Sequence, residues 1–169
     1  LVIATPGLIT CTLPQITLNG SGSQGGANIS YTWITPNGNI VSGANNNSAV
    51  VNSAGQYTFT VLNSANGCLS TQTVDVLDNI VLPMAEAGPP CTLTCSVDQV
   101  TLLGAGSTGA LYAYGWSTAG GQIVSGANSL QPVVNQNGIY TLTVTNLNTG
   151  CKQTDVVEIL EETNVPTDL

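Results

Sequence analysis

The chain has no histidine, no arginine and a single lysine, Lys152, among 169 residues. Without histidine, neither a Ser–His–Asp nor a Cys–His device can be built. Without arginine, the usual readers of bases and phosphates are missing. Nine carboxylates against one cation give a net charge of −8, which repels nucleic acid and anionic membrane surfaces. Only 6% of residues are charged, against about 25% in an average soluble chain. No run approaches the roughly 20 apolar residues of a membrane span. The start shows no basic region followed by an apolar stretch. No segment combines helical periodicity with caps, and no CxxC is present. These absences exclude a nucleic-acid partner and membrane insertion, and they leave few routes to catalysis.

What is present is said twice. "YTWITPNGNIVSGANNNSAVVNSAGQYTFTVLNSANGC", residues 31–68, aligns without a gap to "YGWSTAGGQIVSGANSLQPVVNQNGIYTLTVTNLNTGC", residues 114–151, and 21 of 38 positions are identical. Upstream, "CTLPQITLNGSGS" from Cys11 matches "CSVDQVTLLGAGS" from Cys95; downstream, "VDVLD" matches "VEILE". This is a tandem duplication. The final "NVPTDL" falls where "IVLPMA" leads into the second copy, so the chain reads as an excerpt of a longer array. The expected domains are residues 1–79 and 80–162, with 163–169 starting a linker to a further repeat.

The patterning is that of strands. In "YTLTVTN", Tyr140, Leu142 and Val144 share one face and Thr141, Thr143 and Thr145 the other. "YTFTVLN" repeats this with Tyr57, Phe59 and Val61, the period-two signature of a half-buried strand. Trp33 and Trp116 fall in phase with inward-facing tyrosines, so Trp33, Trp116, Tyr57 and Tyr140 are the expected core, and every other aromatic also reads as core. "PNGN" at 36–39 is a strong hairpin signal, with "AGGQ" in its place in the second copy. Short strands at regular spacing with Gly/Asn turns predict an all-β chain of two tandem immunoglobulin-like antiparallel β-sandwiches.

Four cysteines keep matching places: Cys11 with Cys68, and Cys95 with Cys151, 57 and 56 positions apart. A pair kept in each unit reads as one intradomain disulfide per unit, worth about 4 kcal/mol in the chain-entropy model. Small domains benefit from such a staple, and disulfides imply an oxidising compartment, hence a secreted or cell-surface protein. Cys91 is left over, with Gly7 in its place in the first copy. It has three options: to bridge to a neighbouring chain, to compete with Cys95 for Cys151, or to remain a thiol.

The stretch "LTCSVDQVTLLGAGS…YGW…GQIVSGA…PVVNQNGIYTLTVTNLNTGC" resembles the PKD-like or immunoglobulin-like tandem repeats of very large Bacteroidota surface proteins. Gliding-motility-type adhesins and extracellular filaments exported by the type IX route are of this kind. The resemblance covers both units almost end to end and implies a structural or adhesive array, not an enzyme. Cys91 and the scarcity of lysine depart from that pattern.

Other candidates for chemistry are weak. "GSGSQGG" at 20–26 reads as a loop, shortened in the second copy. Asp75 with Asp78, and Glu158 with Glu161, are repeated carboxylates of the type glycosidases pair. They alternate with inward-facing Val74, Val76, Val157 and Ile159, so they read as a solvated face. No metal or cofactor is expected; the sharper alternative is calcium at the domain junction, using Asp78, Asn79 and Glu86, although no DxDxDG loop is present. Asn19, Asn28 and Asn46 stand in N-x-S/T sequons of a Ser/Asn-rich sequence. A lysine–asparagine staple would have only Lys152 to draw on. The surface is Thr, Ser, Asn and Gln, and the edge strands lack their customary lysines. Either other chains cover the edges, or Pro14, Pro36, Pro83 and Pro132 blunt them. Scarcity of Lys and Arg also removes trypsin-like cleavage sites.

The expected function is mechanical: a repeat segment of a long extracellular filament or adhesin stalk, spacing or anchoring an attachment tip. Its partners are neighbouring repeats, and it forms a homo-oligomer or filament bundle. The alternative is an adhesion module whose loops 43–49 and 126–132 bind a glycan or protein.

Overall fold

The computed structural model describes residues 3, 5–23 and 25–162. Contacts divide the chain into unit 1, Leu1–Ile80, and unit 2, Val81–Leu169. The stretch 163–169, expected as the start of a linker, lies outside the described residues. All regular elements of the described residues are strands.

In unit 1 the strands are β1 (Ile9–Thr10), β2 (Ile16–Asn19), β3 (Ile29–Ile34), β4 (Ile40–Ser42), β5 (Ser48–Val51), β6 (Gly55–Asn63), β7 (Cys68–Val76) and β8 (Asp78–Asn79). One antiparallel sheet has the order β2-β5-β4 and the other β3-β6-β7, while β1 runs parallel to β8. Unit 2 has β9 (Ala85–Glu86), β10 (Cys91–Thr94), β11 (Val100–Thr101), β12 (Ala105–Gly106), β13 (Tyr112–Ala119), β14 (Ile123–Ser125), β15 (Val133–Val134), β16 (Gly138–Asn146) and β17 (Lys152–Glu162). Its sheets are β11-β15-β14 and β10-β17-β16-β13, with β9 paired to β12. Each unit is an immunoglobulin-like β-sandwich.

Alternation fills each core from both sheets. Ile16, Leu18, Ala49 and Val51 from one sheet of unit 1 meet Trp33, Tyr57 and Phe59 from the other. In unit 2, Leu102 and Val134 meet Trp116, Tyr140, Leu142, Val144, Val157 and Ile159. The intervening threonines of β6 and β16 are half-buried. Tyr31, Tyr112 and Tyr114 are half-buried and pack against the cores, as expected of them, at their margins. Tyr31 stands opposite Val61, Tyr112 opposite Asn146 and Tyr114 opposite Val144, and Tyr114 sends its hydroxyl to Ser107 O at 2.9 Å.

The two buried indoles are held differently. Trp33 stacks on Phe59 with centroids 4.4 Å apart, and its Nε1 has no hydrogen-bond partner among the described residues. Trp116 Nε1 donates to Ser129 O at 2.9 Å.

The expected hairpin at 36–39 is instead a crossing between sheets. β3 pairs with β6, whereas β4 pairs with β5. A buried tyrosine organises the crossing. Asn39 N–H donates to Tyr57 Oη at 2.9 Å, and the Tyr57 hydroxyl donates to Ser53 O at 2.7 Å. In unit 2, Gln122 N–H donates to Tyr140 Oη at 2.9 Å, and Tyr140 donates to Gln136 O. These are tyrosine corners. They demand glycine beneath the ring: a Cβ on Gly38 would stand 2.3 Å from Tyr57 Oη, and one on Gly121 2.4 Å from Tyr140 Oη. The hairpin lies in the second half of the repeated motif, where Gly43 (φ 76°) and Gly126 (φ 71°) turn the chain in the left-handed region.

Candidate functional site

Register fixes where the cysteines stand. Thr10 lies beside Asn79 in the parallel β1–β8 pair, so Cys11 sits at the end of its unit where the last strand finishes. Cys68 opens β7, opposite Asn63, at the other end. In unit 2, Thr94 lies beside Glu162, and Cys151 immediately precedes β17. Cys11 and Cys95 thus mark one pole of each sandwich, and Cys68 and Cys151 the other. At about 3.3 Å per strand residue the poles are on the order of 30 Å apart, whereas a disulfide needs Cα atoms within about 7 Å.

The two expected within-unit staples, Cys11–Cys68 and Cys95–Cys151, are therefore not formed. Cys68 and Cys95 are exposed free thiols. Cys11 and Cys151 are disulfide-bonded. Cys91 is a half-buried free thiol in β10, its Sγ 3.7 Å from Pro89 O. It faces Ile159 in register, eight residues along β17 from Cys151, too far to compete for that partner.

Each pole has its own construction. At the first, which we call the turn pole, a Thr-Cys-x-x turn holds the cysteine. Thr10 N–H donates to Leu13 O at 3.0 Å, and Leu13 N–H to Thr10 Oγ1 at 3.1 Å. Thr94 N–H donates to Val97 O at 3.0 Å, and Val97 N–H to Thr94 Oγ1 at 3.1 Å. Both turns present an apolar side chain two residues after the cysteine, Leu13 and Val97, each more than 40% exposed.

At the other, the hairpin pole, the cysteine follows a tight loop. Gly67 N–H donates to Asn63 O at 2.8 Å, and Cys68 N–H to Asn66 Oδ1 at 3.0 Å. In unit 2, Gly150 N–H donates to Asn146 O at 2.7 Å and Cys151 N–H to Thr149 Oγ1 at 3.3 Å. Cys68 lines an open groove of about 240 Å³ together with Ile29, Val61, Asn63 and Leu69. Cys151, its counterpart, is fully buried, and so is Thr149.

Trp33, Trp116, Tyr57 and Tyr140 are all buried and belong to the cores, away from any cleft. The repeated carboxylates Asp75, Asp78, Glu158 and Glu161 are exposed, and Asp75 Oδ1 accepts from Gln56 Nε2 at 3.3 Å. Asp155 is the carboxylate that braces the fold. Its Oδ2 accepts from Ala87 N–H at 2.7 Å, which fastens the first segment of unit 2 to β17. Nothing in the repeat pattern singles it out, because unit 1 has Gln72 there. Among the described residues no group of three or more Cys, Asp or Glu side chains is placed to hold a metal ion. Asp78 and Asn79 lie in β8 and Glu86 in β9. No helix of the described residues is long and apolar enough to cross a membrane.

The fold places the chain among tandem immunoglobulin-like β-sandwich proteins. No protein-family model matches the sequence, and no curated protein does. Among solved structures, the chain is similar to the PKD domain of the KIAA 1837 protein, at 26% identity over 51% of this chain and 92% of that one, with a TM-score of 0.42. It is similar to the three N-terminal domains of the bacteriophage RB49 highly immunogenic outer capsid protein, at 15% identity over 95% of this chain and 59% of that one, with a TM-score of 0.44. It is also similar to the titin I-band fragment I67–I69, at 16% identity over 88% of this chain and 59% of that one, with a TM-score of 0.37.

Proposed function

We propose that the chain is a load-bearing repeat segment of a long extracellular filament or adhesin stalk, of the surface-protein kind that its sequence resembles. Type IX export would bring it to the cell surface, where it spaces or anchors an attachment tip. The observation that carries this reading is the pairing of each unit's last strand with a strand near its start, β8 with β1 and β17 with β10. They lie side by side and parallel, Ile9–Thr10 with Asp78–Asn79 and Cys91–Thr94 with Ile159–Glu162. End-to-end load pulls such strands past each other. The force is then shared by every ladder bond at once instead of breaking them in turn. The sparsely charged Thr/Ser/Asn/Gln surface suits a passive spacer.

The test is single-molecule pulling of the chain in reductant. Two separate resisted unfolding events are expected. A chain that extends without measurable resistance would sink the reading. A loop-borne binding role, through residues 43–49 and 126–132, would show instead as retention on glycan or protein arrays.

A further inference from the structure

Four asparagines stand directly before a glycine: Asn19, Asn37, Asn66 and Asn137. In that dipeptide the next backbone nitrogen reaches the side-chain carboxamide carbon most easily, because glycine has no Cβ to crowd the approach. Two groups must be free for the reaction. The carboxamide has to swing toward the main chain, and the glycine N–H has to leave its acceptor.

Unit 1 ties both groups at each of its three sites. At Asn19, Oδ1 accepts from Ser21 N–H at 2.9 Å and Gly20 N–H donates to Asn47 O at 2.9 Å. At Asn37, Oδ1 accepts from Gln56 N–H at 2.9 Å and Gly38 N–H donates to Thr35 Oγ1 at 2.8 Å. At Asn66, Oδ1 accepts from Cys68 N–H at 3.0 Å and Gly67 N–H donates to Asn63 O at 2.8 Å. Asn137, in unit 2, is built differently. It is exposed, and no hydrogen bond holds its carboxamide among the described residues. Gly138 opens β16 and pairs with Ile159 at the very end of that ladder, where fraying costs least.

We propose that Asn137 is a self-modifying site, at which the chain rearranges to isoaspartate and so ages unit 2 alone. The Gly138 amide nitrogen attacks Asn137 Cγ and gives up its proton. The Cγ–Nδ2 bond breaks, and ammonia leaves carrying that proton. Water then opens the cyclic imide. Cleavage on the side-chain carbonyl restores a normal aspartyl link, and cleavage on the main-chain carbonyl leaves an isoaspartyl one. The sum is one carboxamide plus one water giving one carboxylate plus one ammonium, with no oxidant or enzyme.

The position gives the change a consequence. Gln136, one residue before, offers its carbonyl to the Tyr140 hydroxyl, and Gly138, one residue after, is held against Ile159. An isoaspartyl link inserts a methylene between these two anchors, so both cannot keep their places and the tyrosine corner of unit 2 loosens. Unit 1 has Ala54 at the matching position and cannot react there. This goes beyond the stalk reading and does not depend on it.

The purified chain would be kept warm in mildly alkaline buffer, digested with pepsin and mapped by mass spectrometry. Isoaspartate would be counted by enzymatic methylation with labelled S-adenosylmethionine. The expected result is a gain of one mass unit at Asn137, faster as the buffer is made more alkaline, with the isoaspartyl form labelled. Asn19, Asn37 and Asn66 should react at least roughly tenfold more slowly, because two hydrogen bonds must open first at each. In denaturant all four should react alike. Asn137→Ala should abolish the label in a folded chain, as unit 1 folds with alanine there. After ageing, hydrogen exchange should rise at Gln122 and in the first half of β16 and stay unchanged in unit 1. An unaltered Asn137 in the native chain overturns the proposal, as do equal native rates at all four sites. Full conversion with unchanged exchange in unit 2 overturns the ageing role.

Discussion

Gly38 and Gly121 show at the scale of single residues why the motif beginning with glycine is written twice. Each lies under a tyrosine hydroxyl that holds a sheet crossing together, at a distance where a methyl group would overlap the oxygen. Gly121→Ala should cost roughly 1–3 kcal/mol, the usual cost of overpacking. Tyr140→Phe should also destabilise by about 1–3 kcal/mol, because it leaves Gln122 N–H and Gln136 O without their partner. The double variant should be less destabilised than the sum of the two, since the atom nearest the new methyl has gone. Denaturant unfolding of the four proteins measures the difference. Strict additivity would mean that the new methyl is strained against the Tyr140 ring carbon and Thr118 Oγ1, which remain within 2.6 Å, and not against the hydroxyl.

Among the elements, β17 stands out as the longest strand, eleven residues flanked by β10 and β16. Its parallel clasp with β10 spans four residue pairs, whereas β1 and β8 share two. Unit 1 should therefore yield first under load, and unit 2 at higher force. Pulling in reductant, with prolines at both Thr92 and Leu93 so that whichever amide faces β17 is lost, checks the assignment: the stronger event should weaken and the other stay. The strands themselves were legible in the sequence, because period-two runs such as "YTLTVTN" have one reading. Their partners were less so. "PNGN" has the composition of a two-residue hairpin, yet the tyrosine corner draws the chain across to the other sheet. No local signal encodes that long-range contact.

For the whole molecule, the cysteines teach the same lesson. Equal spacing in two copies shows that a pair matters, but spacing counts residues and is blind to register. The clue was the placement of Cys11 and Cys95 before the "ITL" and "VTL" strands, at the far end of each unit from the "GC" loop. Once the last strand runs parallel beside the strand that leads into Cys11 or Cys95, that cysteine and the "GC" cysteine upstream of the last strand must lie at opposite poles. Register thereby keeps the predicted staple from closing inside either unit. Cys68→Ser and Cys95→Ser should accordingly leave the stability of the chain within about 0.5 kcal/mol of the parent in denaturant unfolding, as for ordinary surface changes. A loss near the roughly 4 kcal/mol of a long-loop disulfide would restore the internal staple. The buried indoles add an optical consequence. There is one in each unit, Trp33 against a ring and Trp116 on a carbonyl, so each sandwich contains its own fluorophore. Replacing either with phenylalanine would leave emission that reports on the other unit alone, and two unlabelled domains of one chain could be watched coming apart separately.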